Sequence, residues 1–320
     1  MINFELSAPR GRYIIPFSDW GFKELFGTDP NKDLLIRLLN ELLQGRHIVD
    51  VEFLPDDIRV PLSTTGQISL DIYCRCLDGT RIIVEMQNRV GKTFADRMLI
   101  YSAVSLLENY TRRRDDYRVC DVVCIAITTE NVFPETPKTP VRLALCDTQE
   151  EHTTIRSDKI LEIFVELRKL ADSAEAKGPS ERDFLEKFSL AMGSMQYCEG
   201  EPDELGGDEF FRRMFDAGDL NGYDEDKKQL YRDNVMNEFK AKMTLLELTH
   251  DAREDGFAEG KAEGLAEGLA EGEAKGKAEG LVEGEAAAKV ATARAMLKEG
   301  LDIELIAKCT GLTAEQIAAL

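Results

Sequence analysis

Long hydrophobic runs are missing from this sequence of 320 residues. No stretch approaches the ~18 apolar residues of a membrane-spanning helix, and the N-terminus, MINFELSAPR, lacks the cationic start and the apolar run of a signal peptide. The seven cysteines are odd in number and include no C-x-x-C spacing, and the three histidines are scattered. These absences argue against a disulfide framework and a zinc site, and they predict a cytoplasmic protein with reduced thiols.

Net positive charge is also missing, since 60 acidic and 40 basic residues give a formal charge of −20 at pH 7. Such a charge argues against a protein that coats nucleic acid through bulk electrostatics. The acids are concentrated in residues 171–320, with 34 acids and 18 bases, whereas residues 1–170 hold 26 acids and 22 bases. Because salt screens charges over roughly 8–10 Å, a local nucleic-acid site in the first half remains compatible with the composition.

Helical and strand-like patterns alternate in the first half. Residues 19–45 are predicted to be helical, with Asp29 as a cap, Pro30 in a first turn and Gly45 at the end. One apolar face of this segment contains Leu34, Leu35, Leu38, Leu39, Leu42 and Leu43. A second helix is predicted over residues 93–110. Its stripe of small and apolar residues consists of Ala95, Met98, Leu99, Ser102, Ala103 and Leu106.

Six segments have the pattern of β-strands. They are residues 48–54, 68–77, 80–87, 118–127, 141–146 and 160–167. Segment 118–127 is apolar on both faces apart from Asp121, which favours a central buried strand. The order is α-β-β-β-α-β with two more strands, 141–146 and 160–167, after it, and it predicts an α/β domain with a mixed sheet.

The second half has mainly helical patterns. Residues 171–252 are acidic, with a loop-like stretch around 199–208, and residues 253–285 contain a glycine at every fourth position from Gly256 to Gly284. Each glycine weakens a helix by about 1 kcal/mol relative to alanine, but a glycine stripe also allows close approach of a partner helix. A low-complexity spacer is the alternative, and we favour a helix that gains order by self-association.

The last residues, 286–320, predict a compact helical hairpin. A first helix ends at Gly300, Asp302 caps a second that ends at Gly311, and Thr313 with Gln316 forms a capping box for the final turn. The outline is that of DNA-binding hairpins, but four acids balance four bases in this segment. Because DNA-reading domains are normally basic, the segment is predicted to be a packing or assembly module.

The chemically informative segment is GQISLDIYCRCLDGTRIIVEMQ, residues 66–87. It places Asp71 on one predicted strand, and Glu85 and Gln87 on one face of the next, because side chains alternate with period two. If Asp71 lies opposite Glu85, two carboxylates about 3–6 Å apart could share a divalent cation. The amide of Gln87 could orient an attacking water. The alternative is that both acids are ordinary strand-face residues, although an unpaired carboxylate is costly in so apolar a strand.

The turn between these strands decides whether the two carboxylates meet. A two-residue turn at Asp78-Gly79 would put Asp71 and Glu85 on opposite faces of the hairpin. A three-residue loop from Leu77 to Gly79, with the glycine in the left-handed conformation, pairs Asp71 with Glu85. The metal hypothesis therefore requires the longer loop or a bulge.

Several motifs together resemble a known family. The pattern D-x-x-F-K-x-L-F-G is present as Asp19, Phe22, Lys23, Leu25, Phe26 and Gly27. Further matches are Asn31, Lys32, Leu38, Leu39, Asn40, Leu70-Asp71, Glu85-Met86-Gln87, Arg97, Tyr101, Phe164, Glu166 and Leu167. With the glycine-rich tail and the terminal G-L-T-x-E-x-I hairpin, the chain resembles the Rpn family of recombination-promoting nucleases and transposases, within the PD-(D/E)XK nuclease superfamily.

This resemblance implies a restriction-endonuclease-like αβββαβ core with a mixed sheet over residues 10–170. It implies that Asp71 and Glu85 bind Mg²⁺ or another divalent cation, with the Met86 carbonyl as a third ligand. Gln87 takes the place usually held by lysine and cannot supply its charge. Leu70 stands where the superfamily name has proline, which should be harmless.

The same resemblance adds candidate DNA contacts around the site. Lys23 is predicted to contact a phosphate with Asp19 as an additional site acid, although a helix cap and a solvated lysine would explain the pair equally well. Arg97 and Tyr101, one helical turn apart, are predicted to reach the scissile strand or else to brace the fold. The basic run Arg112–Arg114 is better explained as a solvated helix end than as a DNA contact.

Two classes of function follow from the sequence. The favoured one is a divalent-metal-dependent DNA endonuclease associated with recombination or mobile elements, forming a homo-oligomer through its C-terminal tail. The alternative is a noncatalytic partner-binding or assembly protein on a degenerate nuclease fold. A solvated cluster of Asp71, Glu85 and Gln87 would favour the enzyme, whereas a buried or dispersed trio would favour the alternative.

Overall fold

The computed structural model describes residues 2–9, 11–59, 67–113, 116–147 and 154–320. The helices are α1 (Asp19–Phe26), α2 (Lys32–Leu42), α3 (Phe94–Glu108), α4 (Leu167–Glu175), α5 (Phe184–Ser194), α6 (Glu209–Gly218), α7 (Glu225–Lys298), α8 (Ile303–Thr310) and α9 (Ala314–Ala318). The strands are β1 (Val51–Phe53), β2 (Asp57–Arg59), β3 (Gln67–Ser69), β4 (Ile72–Cys76), β5 (Arg81–Gln87), β6 (Thr111–Arg113), β7 (Asp116–Arg118), β8 (Val122–Thr128), β9 (Val141–Asp147) and β10 (Thr154–Glu166).

A mixed six-stranded sheet forms the centre of the fold, in the order β1-β4-β5-β8-β10-β9. Strands β5, β8 and β10 are mutually parallel, while β1, β4 and β9 run antiparallel to their neighbours. Helix α3 connects the parallel pair β5 and β8, as a crossover between parallel strands requires. Every residue of β8 is buried, so the prediction of a central buried strand is confirmed.

Helices cover both faces of the sheet. On one face, Val84 and Ile125 belong to a core shared with α1, α2, α4, α5, α6 and the beginning of α7. On the other face, Ile83 and Cys124 pack against α3, and Met98 of that helix is fully buried. Because side chains alternate along β5, Glu85 lies on the same face as Ile83 and therefore on the α3 side.

The predicted helix over residues 19–45 is divided into α1 and α2. Gly27 ends α1, where its amide donates to the Lys23 carbonyl, and residues 29–31 form a short 3₁₀ turn that contains Pro30. Asp29 lies in this turn and is not the cap that the sequence predicts. The six leucines are nevertheless buried as one face of α2 and its end.

Three further predictions differ from the structure. The segment 68–77 is two strands, since β3 pairs with β2 in a separate small sheet and the chain bends at Asp71 before β4. Leu99, predicted in the apolar stripe of α3, is 54% exposed. Arg112 and Arg113 lie in β6 and not at a helix end, and Arg114 lies outside the described residues.

The chain divides into two compact units, Met1–Met243 and Thr244–Leu320. The helices after residue 170 share the core of the first unit through side chains such as Phe188, Phe211 and Tyr231. The boundary predicted after residue 170 therefore marks a change in secondary structure and does not separate compact units.

The second unit consists of the later part of α7 with α8 and α9. Ala293, Ile306 and Ile317 form its small core. Helix α8 ends at Gly311, which has a φ of +73°, and the Thr313 capping box starts α9, as the sequence predicts. Within the described ranges, no helix combines the length and the apolarity needed to cross a membrane.

Candidate active site

The β4–β5 hairpin sets the register of the candidate site. Its loop is Leu77–Gly79, and the glycine has a φ of +88°. Ile72 is paired with Val84, so the next position toward the site places Asp71 opposite Glu85. The three-residue loop that the metal hypothesis requires is therefore present.

Two backbone hydrogen bonds hold the carboxylates of this pair together. The amide of Asp71 donates to Oε1 of Glu85 at 3.1 Å. The amide of Met86 donates to Oδ2 of Asp71 at 2.8 Å. The Asp71 side chain is 16% exposed and Glu85 is 5% exposed, so the two acids converge in a largely buried setting.

Burial raises the pKa of both acids because it disfavours their charged forms. The pKa of Asp71 rises to about 6. The pKa of Glu85 rises to about 8, with the neighbouring charge of Asp71 as a second cause. A cation bound between the two carboxylates would stabilise their ionised forms, which burial and mutual repulsion disfavour.

Lys23 supplies a cation on the α1 side of the site. Its Nζ lies 2.9 Å from Oδ1 of Asp19 and 3.5 Å from Oδ1 of Asp71. Burial by itself lowers the pKa of Lys23, but these two acids raise it overall, so the ammonium stays charged. Asp19 is the first residue of α1 and is not its cap, because the Ser18 side chain accepts from the helix instead. The lysine is thus oriented toward the acid pair and is not simply solvated.

Gln87 is engaged by the protein through both ends of its amide. Its Oε1 accepts from Arg97 at 2.5 Å, and its Nε2 donates to the Arg89 carbonyl at 2.8 Å. The Arg97 guanidinium lies 5.8 Å from the centre of the Tyr101 ring. Burial raises the pKa of Tyr101, and the charge of Glu85 contributes. All of the predicted site residues therefore lie around the end of β5, although Gln87 contacts Arg97 rather than the acids.

Sequence reasoning missed an acid on α7 that also lies beside this group. Oε2 of Glu238 accepts from the Asp19 amide at 3.1 Å, and Oε1 accepts from Asn88 at 3.1 Å. Burial raises the pKa of Glu238. Helical spacing could have indicated that Glu238 faces the core. Tyr231 and Val235 are buried on one face of this helix, and Glu238 follows Val235 by three residues.

The donor set fits a hard divalent cation. Asp71 and Glu85 offer carboxylate oxygens, which Mg²⁺ prefers, and Mg²⁺ commonly binds one or two protein carboxylates and keeps several waters. In the part of the chain that the structure describes, no group of three or more His, Cys, Asp or Glu residues is arranged to hold a metal. A cation here would therefore depend on the two acids together with carbonyl and water oxygens.

Comparison with known protein families gives two matches, one to most of the chain and one to its last residues. Residues 16–247 match the family described as PD-(D/E)XK nuclease family transposase. The chain belongs to this family. Residues 285–320 match the Rpn/YhgA-like nuclease family, C-terminal HTH domain. No curated protein and no solved structure gave a significant match.

Family membership confirms the resemblance drawn from the motifs and the α/β nuclease core with a helical C-terminal region. It also associates the chain with nuclease chemistry and with mobile elements. The helix-turn-helix description suggests DNA binding for the last residues, whereas their balanced charge favours assembly. The sequence motifs predict Gln87 at the position of the lysine in the PD-(D/E)XK signature. Two cations lie near this position, since Lys23 is 3.5 Å from Asp71 and Arg97 donates to Gln87.

Proposed function

We propose that the protein is a divalent-metal-dependent DNA endonuclease that hydrolyses phosphodiester bonds, with a role in recombination or mobile-element biology. The observation that carries the proposal is the convergence of Asp71 and Glu85 in a chain that belongs to a nuclease family. Burial raises the pKa of both acids, and the charge of Asp71 raises that of Glu85 further, so a cation bound between them would relieve their repulsion.

Asp71 and Glu85 would hold the cation, with the Met86 carbonyl as a further ligand. A cation bound there would polarise a phosphodiester and lower the pKa of a bound water. The Asp71 and Met86 amides orient the two acids by donating to them, so the pair is organised by the backbone of the hairpin. A site organised in this way loses little entropy when it binds its substrate.

The cations around the acid pair would bind the DNA backbone. Lys23, fixed between Asp19 and Asp71, would contact the scissile phosphate, where a charged donor makes a strong hydrogen bond. Arg97 and Tyr101 would contact the same strand from α3. Gln87 holds the Arg97 guanidinium, so we assign it a part in orienting that cation as well as the water.

Cleavage of plasmid DNA by purified protein with Mg²⁺ tests the proposal directly. We expect nicked or linear DNA from the wild type and none from Asp71→Ala. The Asp71→Asn variant keeps an acceptor for the Met86 amide but removes the charge, so it should be equally inactive. Asp233→Asn, at an exposed position on α7, is the matched control and should cleave normally. Equal cleavage by all four proteins would exclude the assignment of Asp71.

A noncatalytic partner-binding or assembly protein is the second candidate. The low exposure of Glu85 and the engagement of both ends of the Gln87 amide favour it. The plasmid assay separates the two candidates when it is combined with calorimetry. A wild type that binds neither Mg²⁺ nor Mn²⁺ and leaves DNA intact would support the assembly protein.

Self-association through the tail is a further part of the proposal. In the segment from Gly256 to Gly284, an added Cβ at any of the eight glycines would meet no atom within 4 Å other than its chain neighbours and the nearby backbone of its own helix. Leu265, Leu269 and Leu281 on this helix are 60–68% exposed. A second copy could therefore approach closely along the glycines and bury these leucines.

The tail is expected to promote association that strengthens with salt. Glu263, Glu267 and Glu271 are exposed on the same segment and repel their counterparts at low salt, and added salt screens this repulsion. Sedimentation of the full chain and of a version ending at Arg253 should show a larger species only for the full chain, favoured at moderate salt. An identical oligomeric state for both proteins at both salts would identify the segment as a spacer.

A further inference from the structure

We infer that Glu238 is a positioning residue that fixes the start of α1 and thereby keeps Lys23 against Asp71. The inference deepens the proposed nuclease function and rests on it for its activity readout. The observation is that one carboxylate on α7 contacts both the first residue of α1 and the residue that follows β5.

The contacts of Glu238 close a small network between three chain segments. Its Oε2 accepts from the Asp19 amide at 3.1 Å, and its Oε1 accepts from Nδ2 of Asn88 at 3.1 Å. Nδ2 of Asn88 also donates to the Phe17 carbonyl at 2.8 Å. The chain before α1, the first turn of α1 and the end of β5 are therefore tied to a single side chain.

The amide that Glu238 accepts from is one that the helix itself leaves free. The first amides of a helix have no partner within the helix. The Ser18 side chain satisfies only the amide of Gly21. Glu238 takes the amide of Asp19, which gives the first turn of α1 a second fixed point on a different element.

The fixed turn carries the cation of the site. Lys23 lies one helical turn after Asp19 and contacts it at 2.9 Å, and the same ammonium reaches Asp71 at 3.5 Å. The contact with Asp19 lies within α1, whereas the contact with Asp71 joins α1 to the hairpin, so the second depends on where α1 begins. A small shift of the first turn would move the Lys23 ammonium away from Asp71 and from a phosphate bound there.

A carboxylate suits this position better than an amide. Both partners of Glu238 are N–H donors, and a carboxylate has two acceptor oxygens, whereas a glutamine amide has one oxygen and one donor group. Glu238→Gln therefore retains the shape but sets a donor against a donor at one of the two contacts. The helix should remain folded, because Tyr231 and Val235 anchor it in the core with 1% and 0% exposure.

The first test measures the position of Lys23 without any nuclease activity. Full-length wild type, Glu238→Gln and the control Asp233→Asn are briefly acetylated, and the modification of Lys23 is compared by mass spectrometry with that of exposed Lys92 in the same molecule. We expect a several-fold faster modification of Lys23 in Glu238→Gln only. An unchanged ratio would overturn the inference, whether or not the protein cleaves DNA.

The second test is a double-mutant cycle on plasmid cleavage. Glu238→Gln should lower kcat roughly tenfold with little change in KM, as expected when a positioning contact is lost. In a Lys23→Ala background the same substitution should cost almost nothing further, because coupled residues are not additive. Equal fractional losses in both backgrounds would show that Glu238 acts independently of Lys23 and would overturn the inference. If the wild type does not cleave, the proposed function fails, and the acetylation result alone decides the positioning role.

Discussion

Replacing Glu85 by glutamine should make the metal-free protein more stable at pH 8 and should abolish metal-dependent cleavage. Glu85 is 5% exposed, and burial raises its pKa to about 8 from an ordinary value of 4.5. Glutamine keeps an oxygen that can accept from the Asp71 amide and has no charge to desolvate. The same side chain is thus expected to be unfavourable for folding and required for the proposed reaction.

The sign of the effect follows from where the proton is bound. Between pH 4.5 and about 8 the folded protein keeps a proton on Glu85 that the unfolded chain releases. The stabilising contribution of this proton is complete below the unfolded pKa and disappears as the pH rises through the folded pKa. At about 1.4 kcal/mol per pH unit, the loss reaches a few kcal/mol at pH 8. Glu85→Gln should therefore unfold like the wild type near pH 4.5 and should be increasingly more stable toward pH 8.

Urea unfolding at a series of pH values, with and without Mg²⁺, measures both parts of this prediction. Mg²⁺ should stabilise the wild type, since a ligand of the folded state raises its stability, and it should leave Glu85→Gln unchanged. Glu162→Gln is the matched control, because burial also raises the pKa of Glu162 on β10, but this acid is outside the site. The control should keep its response to Mg²⁺. If Glu85→Gln were less stable than the wild type at pH 8, the expected unfavourable burial of the ionised Glu85 carboxylate would be wrong.

The hairpin part of the site could be predicted because short-range rules determine it. Period-two alternation places Glu85 and Gln87 on one face of β5, and the left-handed Gly79 selects the three-residue loop that pairs Asp71 with Glu85. Both rules act over a few residues, so one sequence suffices to apply them. The leucines of α2 were predictable for the same reason, since helical periodicity alone defines a buried face.

The remaining features depend on contacts between distant parts of the chain. Glu238 lies 150 positions from Asn88, and no local pattern connects an acid on a long helix to the end of a strand. The bend at Asp71, which lies between β3 and β4, accompanies the pairing of β3 with β2, a strand that the sequence did not indicate. Asp29 failed as a cap because Gly27 and Pro30 together separate α1 from α2.

Replacing Gln87 by alanine should separate the role of the amide from that of the acids. Gln87 contacts Arg97 and the Arg89 carbonyl, and no described hydrogen bond joins it to Asp71 or Glu85. Its loss should therefore release Arg97 while the carboxylate pair stays in place. We expect cleavage to slow by roughly 10- to 100-fold, the usual cost of losing an outer contact of a metal site.

Calorimetry with Mg²⁺ or Mn²⁺ supplies the comparison that distinguishes the roles. Gln87→Ala should bind the cation nearly as well as the wild type, because the neutral amide is not a ligand. Asp71→Ala should not bind it, because this change removes one of the two negative ligands of the proposed site. The expected result for Gln87→Ala is thus slower cleavage at unchanged metal affinity. If Gln87→Ala alone eliminated metal binding, the amide would itself be needed to form the cation site. One physical reason would be that Gln87 holds the Arg97 guanidinium away from the two acids. Without Gln87, the guanidinium would pair with the acids and exclude the metal ion, so the Gln87–Arg97 contact would serve metal binding and not DNA binding.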